Sequence, residues 1–128
     1  MVCLDTDIII HLLRDEPKTT NLIKQIQERG DKITTTSING FELWKGAYRS
    51  KKKNIDKIVK EFLSEIKILN FDDVSSKKAA EIFESLKSKG EIIDVLDVII
   101  ASIAIKNKES LLTYNKKHFS RIKGLRLI

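Results

Sequence analysis

Hydrophobic positions recur along the chain with two different spacings, one typical of helices and one typical of short buried strands. Apolar residues recur every three or four positions from Ile55 to Ile66, behind Asn54 as an N-cap, which predicts an amphipathic helix. From Asp94 to Ile105 apolar residues occupy nearly every position, which predicts a helix buried on all sides. Short apolar or β-branched runs predict strands at residues 2–4, 32–35, 68–71, 110–114 and 125–127.

Residues that start or end helices separate these runs. They are Thr6 before the first helix, Pro17 and Gly30 around the second, Ser37 before the third, and Gly90 after the helix that carries Ala79 and Leu86. Strands that alternate with helices predict a parallel sheet with helices on both faces. We therefore expect an α/β fold in which residues 1–128 form a single domain.

Composition narrows the class of protein further. The chain has 128 residues, one Pro and one Cys, and no apolar run approaches the ~18 residues that a membrane span needs. Cys3 has no partner for an internal disulfide, and the N-terminus lacks the basic segment of a signal peptide. We expect a soluble cytoplasmic protein with no membrane attachment.

Charge is distributed in alternating blocks. The formal net charge is +6, with seven Lys or Arg against one acid in residues 44–60 and again in residues 106–128. Residues 1–43 and 61–105 have net charges of −2 and −4. If the basic blocks flank an acidic centre, the surface attracts a polyanion, while the centre repels it unless a cation intervenes. An ordinary solvated lysine-rich surface is the alternative interpretation.

Five polar side chains stand where ligands bind in parallel sheets or on otherwise apolar helices. They are Asp5, Glu42, Asp94, Asp97 and Asn115. Buried carboxylates without Arg partners are costly unless they bind a cation, and Mg²⁺ and Mn²⁺ prefer oxygen ligands. Each acid also has a structural alternative, since Asp5 and Asp94 can be N-caps while Glu42 and Asp97 can favour a helix dipole.

Four short motifs resemble those of PIN-domain ribonucleases in their order and spacing. They are Leu4-Asp5-Thr6-Asp7, Phe41-Glu42-Leu43 with Gly46, Gly90 with Ile93, Asp97 and Ile100-Ala101, and Leu112-Thr113-Tyr114-Asn115 with Phe119. The resemblance spans the whole chain at the size of a stand-alone toxin of the VapC type. No single motif is very specific, but four in register are.

The resemblance implies a metal-dependent endoribonuclease that uses Mg²⁺ or Mn²⁺ and is the toxin of a toxin–antitoxin pair. It also implies a VapB-like antitoxin as partner and a homodimer. By position, Asp5, Glu42 and Asp97 match the three recurring acids of the family, with Asp5 and Asp97 as metal ligands. Asn115 matches a fourth polar position that is often Asp, and Asp94 lies where the family varies.

Residues around these acids receive weaker assignments. Thr6 either caps its helix or hydrogen-bonds a carboxylate, whereas we expect Thr113 to be an ordinary strand residue. His118 follows Asn115 and is close enough in sequence to reach the site, but we expect a surface histidine in a basic loop. Asp7 is at best a supporting residue, and Trp44 is expected to pack at an interface or in the core.

Two other functions fit part of this pattern. A non-catalytic RNA-binding module on the same fold would keep the basic blocks, but it would not need Asp5, Glu42 and Asp97 together. An aspartyl-phosphate phosphatase of the haloacid-dehalogenase type also begins with D-x-D after a strand. Such a phosphatase needs a late acidic pair, where this chain has Thr113-Tyr114-Asn115.

Overall fold

Four short parallel strands form the central sheet. The computed structural model describes residues 1–128, and its strands are β1 Val2–Leu4, β2 Ile33–Thr36, β3 Lys67–Leu69 and β4 Ser110–Leu112. Their order across the sheet is β3-β2-β1-β4, so β1 lies between the second strand and the last. All three strand pairs are parallel, as the alternation of elements predicts.

Seven helices connect and cover these strands. They are α1 Thr6–Leu13, α2 Pro17–Glu28, α3 Ser37–Arg49, α4 Ile55–Glu65, α5 Asp73–Ser88, α6 Val95–Lys106 and α7 Lys116–Phe119. None of them is both long and apolar enough to cross a membrane. The short α7 was not expected from the sequence pattern.

The two faces of the sheet carry two separate hydrophobic cores. Val2 and Leu4 point to one face, where they pack with buried residues of α1 to α4. Cys3 points to the opposite face, among buried residues of α5 and α6. Because successive strand side chains alternate between faces, a strand of three apolar residues serves both cores. The predicted α/β architecture with helices on both faces is confirmed.

Helix α6 lies in the core, as its apolar pattern predicts. Val98 and every residue from Ile100 to Ala104 are buried in this helix. Asp94 precedes it as the N-cap, with its side chain accepting a hydrogen bond from the Leu96 amide at 2.7 Å. The N-cap interpretation of Asp94 is therefore correct.

The starts of three helices differ from the predicted ones, either in which residue is the N-cap or in whether its side chain makes a capping hydrogen bond. Asp5, not Thr6, caps α1, and Thr36, not Ser37, caps α3. Thr36 is preferred because Asn39 completes a reciprocal capping box with it, which Ser37 cannot form. Asn54 precedes α4 in a left-handed conformation (φ 68°) and makes no side-chain capping bond.

Two predicted strands extend too far, because their neighbours in the sheet end first, and a third is almost absent. Leu4 pairs with Leu112, and the chain then turns into α1, so β4 has no partner beyond Leu112. Likewise β3 ends at Leu69, opposite the last residue of β2. The predicted strand at 125–127 is reduced to a single bridge between Leu127 and Leu111.

The burial of α6 gives a stability prediction. Ile100→Ala should lower the free energy of unfolding by about 2–5 kcal/mol, because it leaves a cavity in a fully buried position. Val95→Ala, on the same helix but 52% exposed, should cost about 0.5 kcal/mol or less. Urea unfolding of both variants tests this expectation. Equal losses would mean that α6 is not the core helix described here.

Candidate active site

Two of the polar residues predicted from sequence, Asp5 and Asn115, lie at the carboxyl ends of β1 and β4, where the strand order reverses. Asp5 directly follows β1, and residues 113–115 directly follow β4. In the sheet, β1 has β2 on one side and β4 on the other. β2 is the next strand along the chain, whereas β4 is the last. Loops diverge at such a point and leave a crevice beyond the strands, which is where ligands bind in open parallel sheets.

Asp5 is buried and held by three hydrogen-bond donors. Its Oδ1 accepts from the Thr6 amide at 2.8 Å and from Nδ2 of Asn39 at 3.1 Å. Its Oδ2 accepts from the Thr113 hydroxyl at 2.7 Å. The side chain is therefore both the N-cap of α1 and an oriented carboxylate, because capping uses only one of its two oxygens.

Asn39 is a site residue that the sequence analysis missed. It is fully buried, and its Nδ2 also donates to Oγ1 of Thr6 at 2.9 Å. Its Oδ1 accepts from the Thr36 hydroxyl at 2.6 Å, which fixes the orientation of the amide. Its spacing in the sequence could have predicted its burial, since Asn39, Leu43 and Ala47 are four residues apart and share the buried face of α3.

Thr6 links the second acid to this network. Its hydroxyl donates to Oε1 of Glu42 at 2.6 Å, while accepting from Asn39. Glu42 is half-buried and is the sixth residue of α3, beyond the first turn where the helix dipole acts. The dipole alternative for Glu42 therefore has no support, and a chain of hydrogen bonds connects Glu42 to Asp5.

The remaining predicted residues group around the start of α6. Asp97 lies in its first turn, and Oδ2 of Asp97 is 3.8 Å from Nδ1 of His118. The same His118 nitrogen is 2.9 Å from Nδ2 of Asn115. Asp94 is exposed and caps α6 through Oδ1. His118 thus connects Asn115 with Asp97.

Burial and neighbouring negative charge raise the pKa values of both central acids. The pKa of Asp5 is raised to about 6, by desolvation first and then by the charges of Asp7 and Asp97, against the hydrogen bonds from Thr113 and the Thr6 amide. The pKa of Asp97 is also raised to about 6, by desolvation first and then by the charges of Asp94 and Glu42. Neither acid forms an ion pair with Lys or Arg.

The chemistry of these donors fits a hard divalent cation. No three acidic, His or Cys side chains surround one point closely enough to hold a metal ion together. Mg²⁺ does not require such a cage, because it keeps several waters and binds through one or two carboxylates. Asp5 and Asp97 both have raised pKa values, and no Lys or Arg neutralises either carboxylate, which suits an ion of this kind.

Part of each basic block lies beside the acidic residues. A groove of about 290 Å³ between α1, α3 and α4 is lined by Glu42 together with Arg14 and Lys52. Lys116 and Lys117 begin α7 immediately after Asn115. The arrangement agrees with positive charge flanking an acidic centre, which would attract a polyanion toward it.

Two expectations about supporting residues need correction, whereas the contacts of Asp7 agree with its assignment as at best a supporting residue. Thr113 is not an ordinary strand residue, because it lies beyond β4 and donates its hydroxyl to Asp5. His118 is exposed, but it contacts Asp97 and Asn115 rather than only solvent. Asp7 is occupied by the amides of Ile8 and Tyr114, so it is not free to act as the second acid of a D-x-D phosphatase.

Comparison with known proteins assigns the architecture. Residues 2–125 match the family model described as PIN domain. "Ribonuclease VapC2" of Rickettsia felis is 33% identical over 123 residues, which are 95% of this chain and 92% of that protein. "Ribonuclease VapC3" of Methanocaldococcus jannaschii is 41% identical over 101 residues, which are 78% of this chain and 94% of that protein.

Solved structures give the same result. The crystal structure of VapBC2 from Rickettsia felis bound to a promoter DNA fragment contains a chain with a TM-score of 0.91 and 31% identity, and the match covers 100% of this chain and 98% of that one. VapBC-1 from nontypeable Haemophilus influenzae contains one with a TM-score of 0.84 and 28% identity, covering 100% and 97%. The family resemblance predicted from four motifs is confirmed.

The raised pKa of Asp97 predicts how stability depends on pH. An acid that titrates at its ordinary value of 3.8 when unfolded and near 6 when folded destabilises the folded state as it ionises. The free energy of unfolding of the wild type, relative to that of Asp97→Asn, should therefore fall as pH rises from about 4 to about 6 and level off above. Urea unfolding in metal-free buffer across this range measures the difference. A difference that rises with pH would contradict the electrostatics described here.

Proposed function

The chain belongs to the PIN-domain family, and we propose that it is an endoribonuclease of the VapC type that cleaves RNA with Mg²⁺ or Mn²⁺ held by Asp5 and Asp97. One observation carries the metal assignment. Asp5 is buried and Asp97 is half-buried, the two come from different elements, both have raised pKa values, and neither forms an ion pair with Lys or Arg. A hard cation is the group that such a pair binds.

The bound cation would lower the pKa of a water molecule and offset the charge that develops on the phosphate. The chain's own residues orient the two ligands. The Thr113 hydroxyl and the Asn39 amide hold the Asp5 oxygens at fixed positions, and Asp97 is placed by the first turn of α6. Loss of these supporting hydrogen bonds weakens a metal site even when its ligands remain.

Glu42 is the proposed general base. Its Oε1 is occupied by the Thr6 hydroxyl at 2.6 Å, which leaves Oε2 to accept the proton of the attacking water. The charge of Glu42 also contributes to the raised pKa of Asp97, so the two carboxylates interact electrostatically.

Asn115 and Asp94 receive secondary roles in this proposal. Asn115 presents a neutral amide whose Nδ2 contacts His118, so its Oδ1 is available to a water ligand or to the RNA. Asp94 caps α6 by accepting a hydrogen bond at Oδ1, and its negative charge raises the pKa of Asp97. Neither residue alone would hold the cation.

Partners follow from the relatives and from the charge. Similar solved chains are parts of VapBC complexes, so we expect a VapB-like antitoxin to bind this chain and restrain its activity. A homodimer is the expected assembly, because the family resemblance implies it. The basic residues beside the site, such as Lys52 and Lys117, would hold the phosphates of the RNA substrate.

The catalytic assignment predicts the behaviour of two neutralising variants. Asp5→Asn and Asp97→Asn should each reduce RNA cleavage by about 100-fold or more, because each removes a charged ligand of the cation while keeping its shape. Asp56→Asn, an exposed acid in the first turn of α4, is the matched control and should cleave at the wild-type rate. Single-turnover cleavage of a labelled RNA measures the rates. Cleavage by Asp97→Asn at the wild-type rate would refute the assignment, as would cleavage that survives EDTA.

The metal assignment also predicts a stability change that does not depend on activity. Mg²⁺ at ten times its Kd should stabilise the protein by about 1.4 kcal/mol, which raises the melting temperature by roughly 3–8 °C. The shift should be present at pH 7.5 and shrink below about pH 6, where protons compete for Asp5 and Asp97. Asp97→Asn should show little shift at either pH. An equal shift in that variant would place the ion elsewhere.

A further inference from the structure

Tyr114 is the residue between two site residues, yet its side chain belongs to neither hydrophobic core. Its hydroxyl is 2.5 Å from Oγ1 of Thr19, a residue of α2 that is only 1% exposed. Its backbone amide donates to Oδ2 of Asp7 at 3.0 Å. The ring is therefore anchored at both ends, although the residue remains 38% exposed.

Two further side chains surround this ring. His11, from the last turn of α1, meets it edge-on with centroids 5.0 Å apart and an angle of 67°. The ammonium group of Lys18 lies over the ring, 5.7 Å from its centroid. The end of α1 supplies the His11 ring and the start of α2 supplies the Lys18 cation to the segment that follows β4.

Core packing does not account for this arrangement. Tyr114 is absent from both sets of buried and partly buried apolar residues that form the cores. A fixed and partly exposed aromatic ring next to a phosphodiester-cleaving site has the properties of a stacking surface for an unpaired base. A cation beside the ring supplies the charge that the adjoining phosphate requires.

We infer that Tyr114 and Lys18 form a subsite for one nucleotide of single-stranded RNA, next to the phosphate that is cleaved. The base stacks on the Tyr114 ring, and the exposed Lys18 ammonium moves from the ring to a phosphate of the same strand. Thr113, the residue before Tyr114, donates its hydroxyl to Asp5, and the Tyr114 amide donates to Asp7, so the segment that carries the ring borders the Asp5 carboxylate. This inference rests on the proposed function.

A thermodynamic cycle between protein and RNA tests the subsite. The probes are a short oligouridylate and an oligomer of the same length that carries abasic riboses, both bound in EDTA. The wild type should prefer the oligouridylate, and Tyr114→Leu should reduce that preference by about 5-fold or more, as expected for one stacked base. Lys18→Gln should weaken binding of both oligomers by similar factors and flatten the salt dependence of binding.

Tyr114→Phe is the matched control, because it keeps the ring and removes only the hydroxyl bonded to Thr19. It should retain the wild-type preference for the oligouridylate even if its melting temperature falls. If Tyr114→Leu weakens binding of both oligomers equally, Tyr114 only joins α2 to the end of β4 and the inference is wrong. If the wild type cleaves RNA but shows no preference between the oligomers, the inference fails while the proposed function stands. If the wild type binds and cleaves no RNA, both fail.

A measurement on the wild type alone covers the case in which Tyr114→Leu does not fold. The chain has two tyrosines, so the ring-proton signals of Tyr114 can be assigned by comparison with Tyr48→Phe. Oligouridylate should shift these signals upfield, since a stacked base places its ring current over them, and the abasic oligomer should not. Equal shifts with both oligomers would overturn the inference.

Discussion

Burial of the Asp5 carboxylate is the constraint on which the rest of the site depends. A carboxylate out of water is costly unless donors or a cation satisfy it, and here three donors come from three different parts of the chain. These donors draw the start of α1, the buried face of α3 and the segment after β4 to one point. These hydrogen bonds lower the pKa of Asp5, but they offset only part of the effect of desolvation, so the pKa remains raised.

The site combines structural and chemical roles in the same side chains. Asp5 and Asp94 each cap a helix, and each also contributes negative charge to the carboxylate cluster. This double use is economical, because an N-cap holds one carboxylate oxygen in a fixed position and leaves the other available. A role as a helix cap and a role as a functional acid therefore do not exclude one another in these residues. Positive charge enters from outside the cluster, from residues such as Lys52 and Lys117, and would draw RNA toward it.

Local pattern was enough to determine the architecture and the family. Strands such as Val2–Leu4 and the largely apolar helix α6 follow from hydrophobic spacing, which reflects the burial that a parallel α/β sheet requires. Four motifs in register identified the PIN-domain family, and the family model matches residues 2–125. Asp5, Glu42 and Asp97 were selected because acids on apolar elements stand out in sequence.

Only the tertiary structure decided how those acids are supported. The donors to Asp5 lie 34 and 108 residues away at Asn39 and Thr113, and no local spacing relates such positions. The contact of His118 with Asp97 is non-local for the same reason, since it depends on how α7 packs near α6. The ends of the strands also depend on residues distant in sequence, because a strand stops where its neighbour in the sheet stops. Sequence determined which groups are present and in which elements, whereas packing decided which of them meet.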